Sequence, residues 1–367
     1  MEHWLAPSRL FDGEAFHSGM ALRMQGDTAL EWAWADELPP DAALRRFDGI
    51  AAPGLIDLQV NGGGGVLLNN APTVDGLRAI AAAHRGLGTA HILPTLITDA
   101  PEVLERTTAA MLDLWTGDRG GVAGLHIEGP HISIAKRGTH DPRFIRPLDQ
   151  PTLDCVARLR QAGVPVLITL APEATAPGQI AALVGMGAVV SVGHSAATPD
   201  EMRRALAEGA AKGTHLFNGM TGLAGRDPGV AGALLDSDAA LGLIADGHHV
   251  SDVMIRLAWR AARGPMVLVS DAMPTVGGPD HFTLYGQEIH VQGGKLVNAE
   301  GSLAGVHMAL AEALPRVTRI LGDDGTQALA AATYAPATLM GLDGFGHLRP
   351  GATGGVALFD SALRWLE

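Results

Sequence analysis

GVAGLHIEGPHIS, residues 121–133, ends a short apolar run in a glutamate. The run up to Ile127 reads as a buried strand, and Glu128 closes it, with His126 before and His131 after. A carboxylate taken out of water without a partner is costly. Glu128 therefore either meets a cation or lies at an open strand end that faces a site.

Seven further runs of the same kind lie around this one. They are GLIDLQV (54–60), AHILPTLIT (90–98), VPVLITLAP (164–172), GAVVSVGH (187–194), GTHLF (213–217), ALGLIAD (240–246) and PMVLVSD (265–271). Segments of helical character, such as TVDGLRAIAAAHRGLG and TPDEMRRALAEGAAKG, separate several of them. Eight buried strands alternating with helices predict a (β/α)₈ TIM-like barrel of the α/β class. A doubly wound open sheet is the alternative, but no GxGxxG turn follows the first strand.

The flanks read differently. ALRMQGDTALEWAWA alternates apolar and polar residues around a Gly-Asp turn, and the tail LRPGATGGVALFDSALRWLE returns to such alternation. Both chain ends are expected to form one small β-sandwich domain, residues 1–51 plus 346–367, beside a barrel over 52–345. After strand eight, FTLYGQEIHVQGGKLVNAEG reads as a hairpin with Gly-Gly at its turn. SLAGVHMALAEALPRVTRIL and GTQALAAATYAPATLMG read as closing helices.

The 367 residues are 47% hydrophobic and 18% charged, with a net charge of -13. That balance suits a packed globular protein and argues against general nucleic-acid or anionic-membrane binding. Neither a signal peptide nor an apolar stretch of about 18 residues is visible, so no membrane association and a cytoplasmic location are expected. Cys155 is the single cysteine, which excludes an intrachain disulfide and a cysteine-rich metal site.

In barrel enzymes chemistry sits at the C-terminal ends of the strands. Here Glu128 ends strand three, His194 strand five and Asp271 strand eight; His215 falls within strand six and His249 in the loop after strand seven. Each alone is more often a packing or capping residue. Five ionisable groups at one rim are harder to dismiss. One carboxylate and two imidazoles suit a divalent metal such as Zn²⁺, and three protein ligands leave room for water. Asp271 then has the proton-handling role, because a carboxylate beside a metal-activated water can accept its proton. In LFNGMTGLAGRDPGVAG, Asn218 and Gly219 supply a turn with exposed N–H groups. Arg226, with His249, makes an anion clamp.

At these residues the chain resembles the N-acetylglucosamine-6-phosphate deacetylases of the amidohydrolase superfamily. The matching blocks run from PGLIDLQVNGGGG through GLHIEGPHISIAKRGTHDP, SVGHSAAT, GTHLFNGM, IADGHHV and LVSDAM to GSLAG. The resemblance implies one divalent metal per subunit on Glu128, His194 and His215. Zn²⁺ leads, and Fe²⁺, Co²⁺ or Mn²⁺ would also fit. It implies Asp271 as general acid/base and His140 as a hydrogen-bond donor to the acetyl carbonyl. Substrate contacts are implied for Thr139, His140, Asn218, Gly219, Arg226, His249, Leu303, Ala304 and Gly305. A homodimer is implied as well, Arg226 completing the neighbouring subunit's site around a phosphorylated amino sugar.

Two departures stand out. Where many amidohydrolases carry His-x-His for a second metal, this chain has Gln59 and Asn61. Amides ligate Zn²⁺ poorly beside imidazole, so that second site is expected to be vestigial. The C-terminus also leaves little room for closing strands. Two other readings share the residues: a metal-dependent barrel aldolase or isomerase acting on sugar phosphates, and a catalytically silent sugar-phosphate binder.

Overall fold

The computed structural model describes residues 2–298, 301 and 303–366. The chain enters through β1 (Glu2–Phe11), β2 (Phe16–His17), β3 (Met20–Gln25), β4 (Thr28–Trp34) and β5 (Leu44–Pro53). The β3–β4 hairpin turns through Gly26 and Asp27, with Gly26 at φ 56. Glycine in the first central position is what a turn matched to the right-handed strand twist requires. These strands and a C-terminal strand, Val356–Phe359, make one six-stranded sheet. That last strand pairs antiparallel with β5 from Val356–Pro53 to Phe359–Ile50, so both chain ends share a sheet. β5 runs on past residue 51 to Pro53.

The barrel follows. Its strands are β6 (Ile56–Val60), β9 (His91–Ile97), β10 (Leu125–Glu128), β11 (Val166–Leu170), β12 (Val189–Val192), β13 (Lys212–Gly213), β14 (Ala240–Leu243) and β15 (Met266–Leu268). A two-residue pair, β7 (Gly62–Gly63) with β8 (Val66–Leu67), decorates the first loop. The seven pairings between these eight strands are all parallel and in sequential order. The ring closes where Asp271 N–H donates to Gln59 C=O (3.0 Å) and Asn61 N–H to Ala272 C=O (2.9 Å).

Helices α1 (Val74–Arg85), α2 (Pro101–Leu114), α3 (Gln150–Gln161), α4 (Gln179–Gly185), α5 (Pro199–Ala207), α6 (Gly229–Leu235) and α7 (Asp252–Ala261) bridge successive strands. Their starts are written locally. Thr198 and Glu201 form a capping box at α5, and Thr73, Asp149 and Ser251 cap α1, α3 and α7. Strand alternation divides the core. In β10, Leu125 and Ile127 face outward and join Val156 and Leu159 of α3 in the layer between barrel and helices. His126 and Glu128 face inward.

Three expectations are corrected after β15. The supposed hairpin is a four-stranded antiparallel meander, β16 (His281–Leu284), β17 (Gln287–Gln292), β18 (Lys295–Val297) and β19 (Leu303–Val306), and Gly293–Gly294 does turn β17 into β18. Residues 299, 300 and 302 of those stretches lie outside the described residues. Leu303–Val306, read as the start of a helix, pairs with β18 instead, and α8 (Leu310–Leu321) begins after it. Gly305, at φ 78, is incompatible with a helix turn there. The second closing helix divides at Thr333 into α9 (Thr326–Ala332) and α10 (Tyr334–Met340). The C-terminal strand, β20, is followed by a bridge from Phe359 to Trp365, so the short tail supplies the sheet's edge. No helix among the described residues is long and apolar enough to cross a membrane.

Candidate active site

Glu128 ends β10, His194 and His215 follow β12 and β13, and the three meet at the C-terminal rim of the barrel. Glu128 Oε1 lies 3.2 Å from His194 Nε2 and 3.1 Å from His215 Nε2, and the two Nε2 atoms are 3.0 Å apart. Arms of about 2.0–2.1 Å at tetrahedral angles put neighbouring ligand atoms about 3.3 Å apart, so this triangle has the edges of one face of a zinc tetrahedron. The other ring nitrogens are committed elsewhere. His194 Nδ1 donates to Lys136 C=O (2.8 Å) and His215 Nδ1 to Asn218 C=O (3.1 Å). That leaves both Nε2 lone pairs converging on a carboxylate, the arrangement a ligated imidazole has. Three acceptors facing one another call for a cation, and the residues present fit a divalent metal. Burial would raise the Glu128 carboxyl, but with protons on the two Nε2 atoms in place of a cation, the bonds and charge of His194 and His215 outweigh it and hold the group well below the usual carboxylate range.

Asp271 sits opposite. Its Oδ1 accepts from Asn61 Nδ2 (2.7 Å) and Gln59 Nε2 (3.2 Å). The same Gln59 amide donates to both oxygens of Glu128, at 3.0 and 3.1 Å. Acceptor-only carboxylates require the N–H ends of these amides to face them. The side-chain amide oxygens, Oε1 of Gln59 and Oδ1 of Asn61, are buried and, among the described residues, find no hydrogen-bond partner. Where a second metal would sit, N–H groups already satisfy the carboxylates. Burial, with the Glu128 charge, raises Asp271 to about 6 against the opposing pull of His215 and Asn61.

A cavity of about 320 Å³ opens over this cluster, within the range of small-molecule sites. Its walls include Glu128, His194, His215, Asp271, Thr139, His140, Asn218, Gly219, His249, Leu303 and Gly305, along with Asn61. His140 Nδ1 is 2.7 Å from Thr98 Oγ1. With the Thr98 hydroxyl donating, His140 Nε2 carries the proton and is a donor. Burial, assisted by the neighbouring imidazoles, pushes His140 down to about 3, so it is neutral. His249 Nδ1 lies 2.7 Å from Asp246 Oδ2. Burial would raise the Asp246 carboxyl, but the His249 bond brings it down to about 2.

Other expected residues fall elsewhere. Arg226 lies on the exposed loop between β13 and α6 and is not part of the cavity wall to which His249 belongs. Ala304 faces the apolar cluster with Met273 and Ile289. Gln59 lies beneath the cavity floor rather than in it. His194, His215 and Asp271 lie just beyond their strands, not within or at the end of them, because all three have positive φ (47, 30 and 55). Non-glycine residues there are strained by about 1–3 kcal/mol each. Gly219, at φ 57, is required beside them: a Cβ would come within 2.9 Å of His194 Nδ1.

The histidines that flank Glu128 belong to the core. His126 is held between Thr95 and Thr169 (3.2 and 2.8 Å), and His131 bonds Thr152 and Arg146 C=O. The sequence reading missed Thr98, Asp246 and the polar floor beneath the cluster. There Asp57 is raised to about 7 and Lys212 lowered to about 8, each chiefly by burial.

No family model matches the chain. An N-acetylgalactosamine-6-phosphate deacetylase from Shewanella sp. (strain ANA-3) is 38% identical over 336 residues, covering 91% of this chain and 84% of that protein. The chain belongs to the N-acetylglucosamine/N-acetylgalactosamine-6-phosphate deacetylase family. The crystal structure of the N-acetylglucosamine-6-phosphate deacetylase from Pasteurella multocida superposes with a TM-score of 0.93 at 30% identity, covering 100% of this chain and 97% of that one. An aspartate-to-alanine variant of the Mycobacterium smegmatis deacetylase, in complex with N-acetyl-D-glucosamine 6-phosphate, superposes with a TM-score of 0.88 at 29% identity over 99% of this chain and 96% of that one. Deacetylases of this family thus share the barrel and its small β domain.

Proposed function

We propose that the chain hydrolyses the N-acetyl amide of N-acetyl-D-glucosamine 6-phosphate, giving D-glucosamine 6-phosphate and acetate. The convergence of Glu128, His194 and His215 opposite Asp271 carries this reading. A divalent metal, Zn²⁺ first among the candidates, held by Glu128, His194 and His215, would polarise the acetyl carbonyl and acidify the attacking water. Asp271, aimed by Asn61 and Gln59, takes the water's proton and later delivers it to the leaving amine nitrogen. His140 donates from Nε2 to the developing oxyanion; losing one such donor costs about 10²–10³ in rate. Thr139 and the Leu303–Gly305 strand bound the sugar. The Asn218–Gly219 backbone and His249 face its phosphate, and Arg226 of a second copy completes that clamp, as a homodimer with shared sites requires. One metal per subunit is expected, since Gln59 and Asn61 offer N–H donors where a second would need lone pairs.

The likeness to an N-acetylgalactosamine-6-phosphate deacetylase supports a second reading, in which the 4-epimer, N-acetyl-D-galactosamine 6-phosphate, is the substrate. Acetate release measured with both sugar phosphates and their unphosphorylated forms separates these readings. Asp271→Asn should retain the parent's metal content while turnover falls by about 10²–10⁴. Near-parental acetate release in that variant would remove Asp271 from the chemistry.

A further inference from the structure

A second set of metal-ligating side chains, sharing no residue with the rim cluster, lies on the outer face of the β16–β19 meander. His281 of β16 stands directly across from His290 of β17, their rings 5.6 Å apart and within 26° of parallel. Glu288, two residues before His290, projects from the same face and reaches both. Its Oε2 is 3.5 Å from His290 Nε2, and its Oε1 is 3.9 Å from His281 Nε2. One ligand atom from each of the three lies within 4.8 Å of the others. His281 is also oriented: its Nδ1 is 3.1 Å from the Asp280 carboxylate, which leaves Nε2 as the free nitrogen turned toward Glu288. A carboxylate behind the far nitrogen is the usual support of a ligated histidine.

We infer that His281, Glu288 and His290 form a second, solvent-facing site for a borderline divalent cation such as Zn²⁺, distinct from the cluster at the rim. Two imidazoles and one carboxylate select Zn²⁺, Cu²⁺ or Ni²⁺ over Mg²⁺ or Ca²⁺. All three side chains are about half exposed, so small rotations bring the longer edges to ligand spacing without moving the backbone. The chain's net charge of -13 favours cation capture. The opposite face of the same strands packs Phe282, Leu284 and Ile289 against Met273 and Leu67 near the cavity. A cation here would staple β16 to β17 from outside. The inference is independent of the amide chemistry.

The test uses the metal-loaded protein, dialysed free of loosely held ions and equilibrated with graded Zn²⁺. Metal per chain is then read by elemental analysis. The parent should take up one equivalent beyond its resident metal, and Zn²⁺ should raise its melting temperature. Glu288→Gln and His290→Gln, both at exposed positions, should keep the resident metal and lose that extra uptake and the thermal shift together. Equal uptake by parent and both variants, or none by the parent beyond its resident ion, overturns the site.

Discussion

At the scale of single residues, Asp271 makes the most direct pH prediction. Burial, then the Glu128 charge, raises its carboxyl to about 6. Only the ionised form accepts a proton from water, so turnover is full above that value and falls as pH drops through it. A cation bound alongside moves the midpoint lower, because it favours the carboxylate. kcat measured from pH 8 to 4.5 should show this acid limb, and a flat profile would contradict it. Gln59→Leu removes the one amide that bonds both Glu128 and Asp271. Metal affinity should weaken by about 10–100-fold and the acid limb should move to higher pH; an unshifted limb with parental affinity would show the amide to be idle. The ligands were legible because residue type and strand-end position coincide in Glu128, His194 and His215. Their backbone was not: nothing in a one-residue alphabet marks a histidine as held at positive φ. Asp246 was hidden for a related reason, since a carboxylate in a loop reads as a cap until His249 is found beside it.

At the scale of elements, all eight barrel strands were visible as apolar runs between glycine-rich turns. What those runs concealed was the inward face. Thr95, His126, Thr169, Ser191, Lys212 and Thr214 are buried inside the barrel, linked in part by the Thr169–Thr214 and Ser191–Thr214 hydroxyl bonds (2.7 and 2.5 Å). Outward Leu and Ile residues dominate the pattern, and the polar alternates look like noise. β19 was missed because LAGV is too short and too small to show a period of two. The meander nevertheless bears on the site: Tyr285, at the β16–β17 turn, donates its hydroxyl to Thr98 C=O, and Thr98 holds His140. Tyr285→Phe should cost about 1 kcal/mol of stability and lower kcat by loosening His140. Unchanged kcat alongside lowered stability would confine Tyr285 to a packing role.

At the scale of the whole molecule, the lone chain carries the Glu128–His194–His215 cluster, the Asp271 carboxylate and a cavity, but Arg226 stays outside the wall. Arg226→Ala should weaken binding of the phosphorylated substrate and leave the metal content unchanged. If sites are completed across a dimer, mixing the separately impaired Arg226→Ala and Asp271→Asn proteins under subunit exchange raises acetate release at low substrate above the sum of the two alone, because one hybrid site then has both groups. No recovery after verified exchange would place Arg226 outside the neighbouring site. The pairing of β20 with β5 has a consequence for synthesis. Ala52 meets Ala357 across about 300 residues, a closure that waits until residue 357 has been made. Until then the emerging amino-terminal sheet shows an open strand edge to its surroundings. A chain stopped before Val356 should therefore be lost to aggregation during expression rather than accumulate as a weakened monomer, and the yield of intact protein should depend on chaperones that shield that edge until β20 has been made.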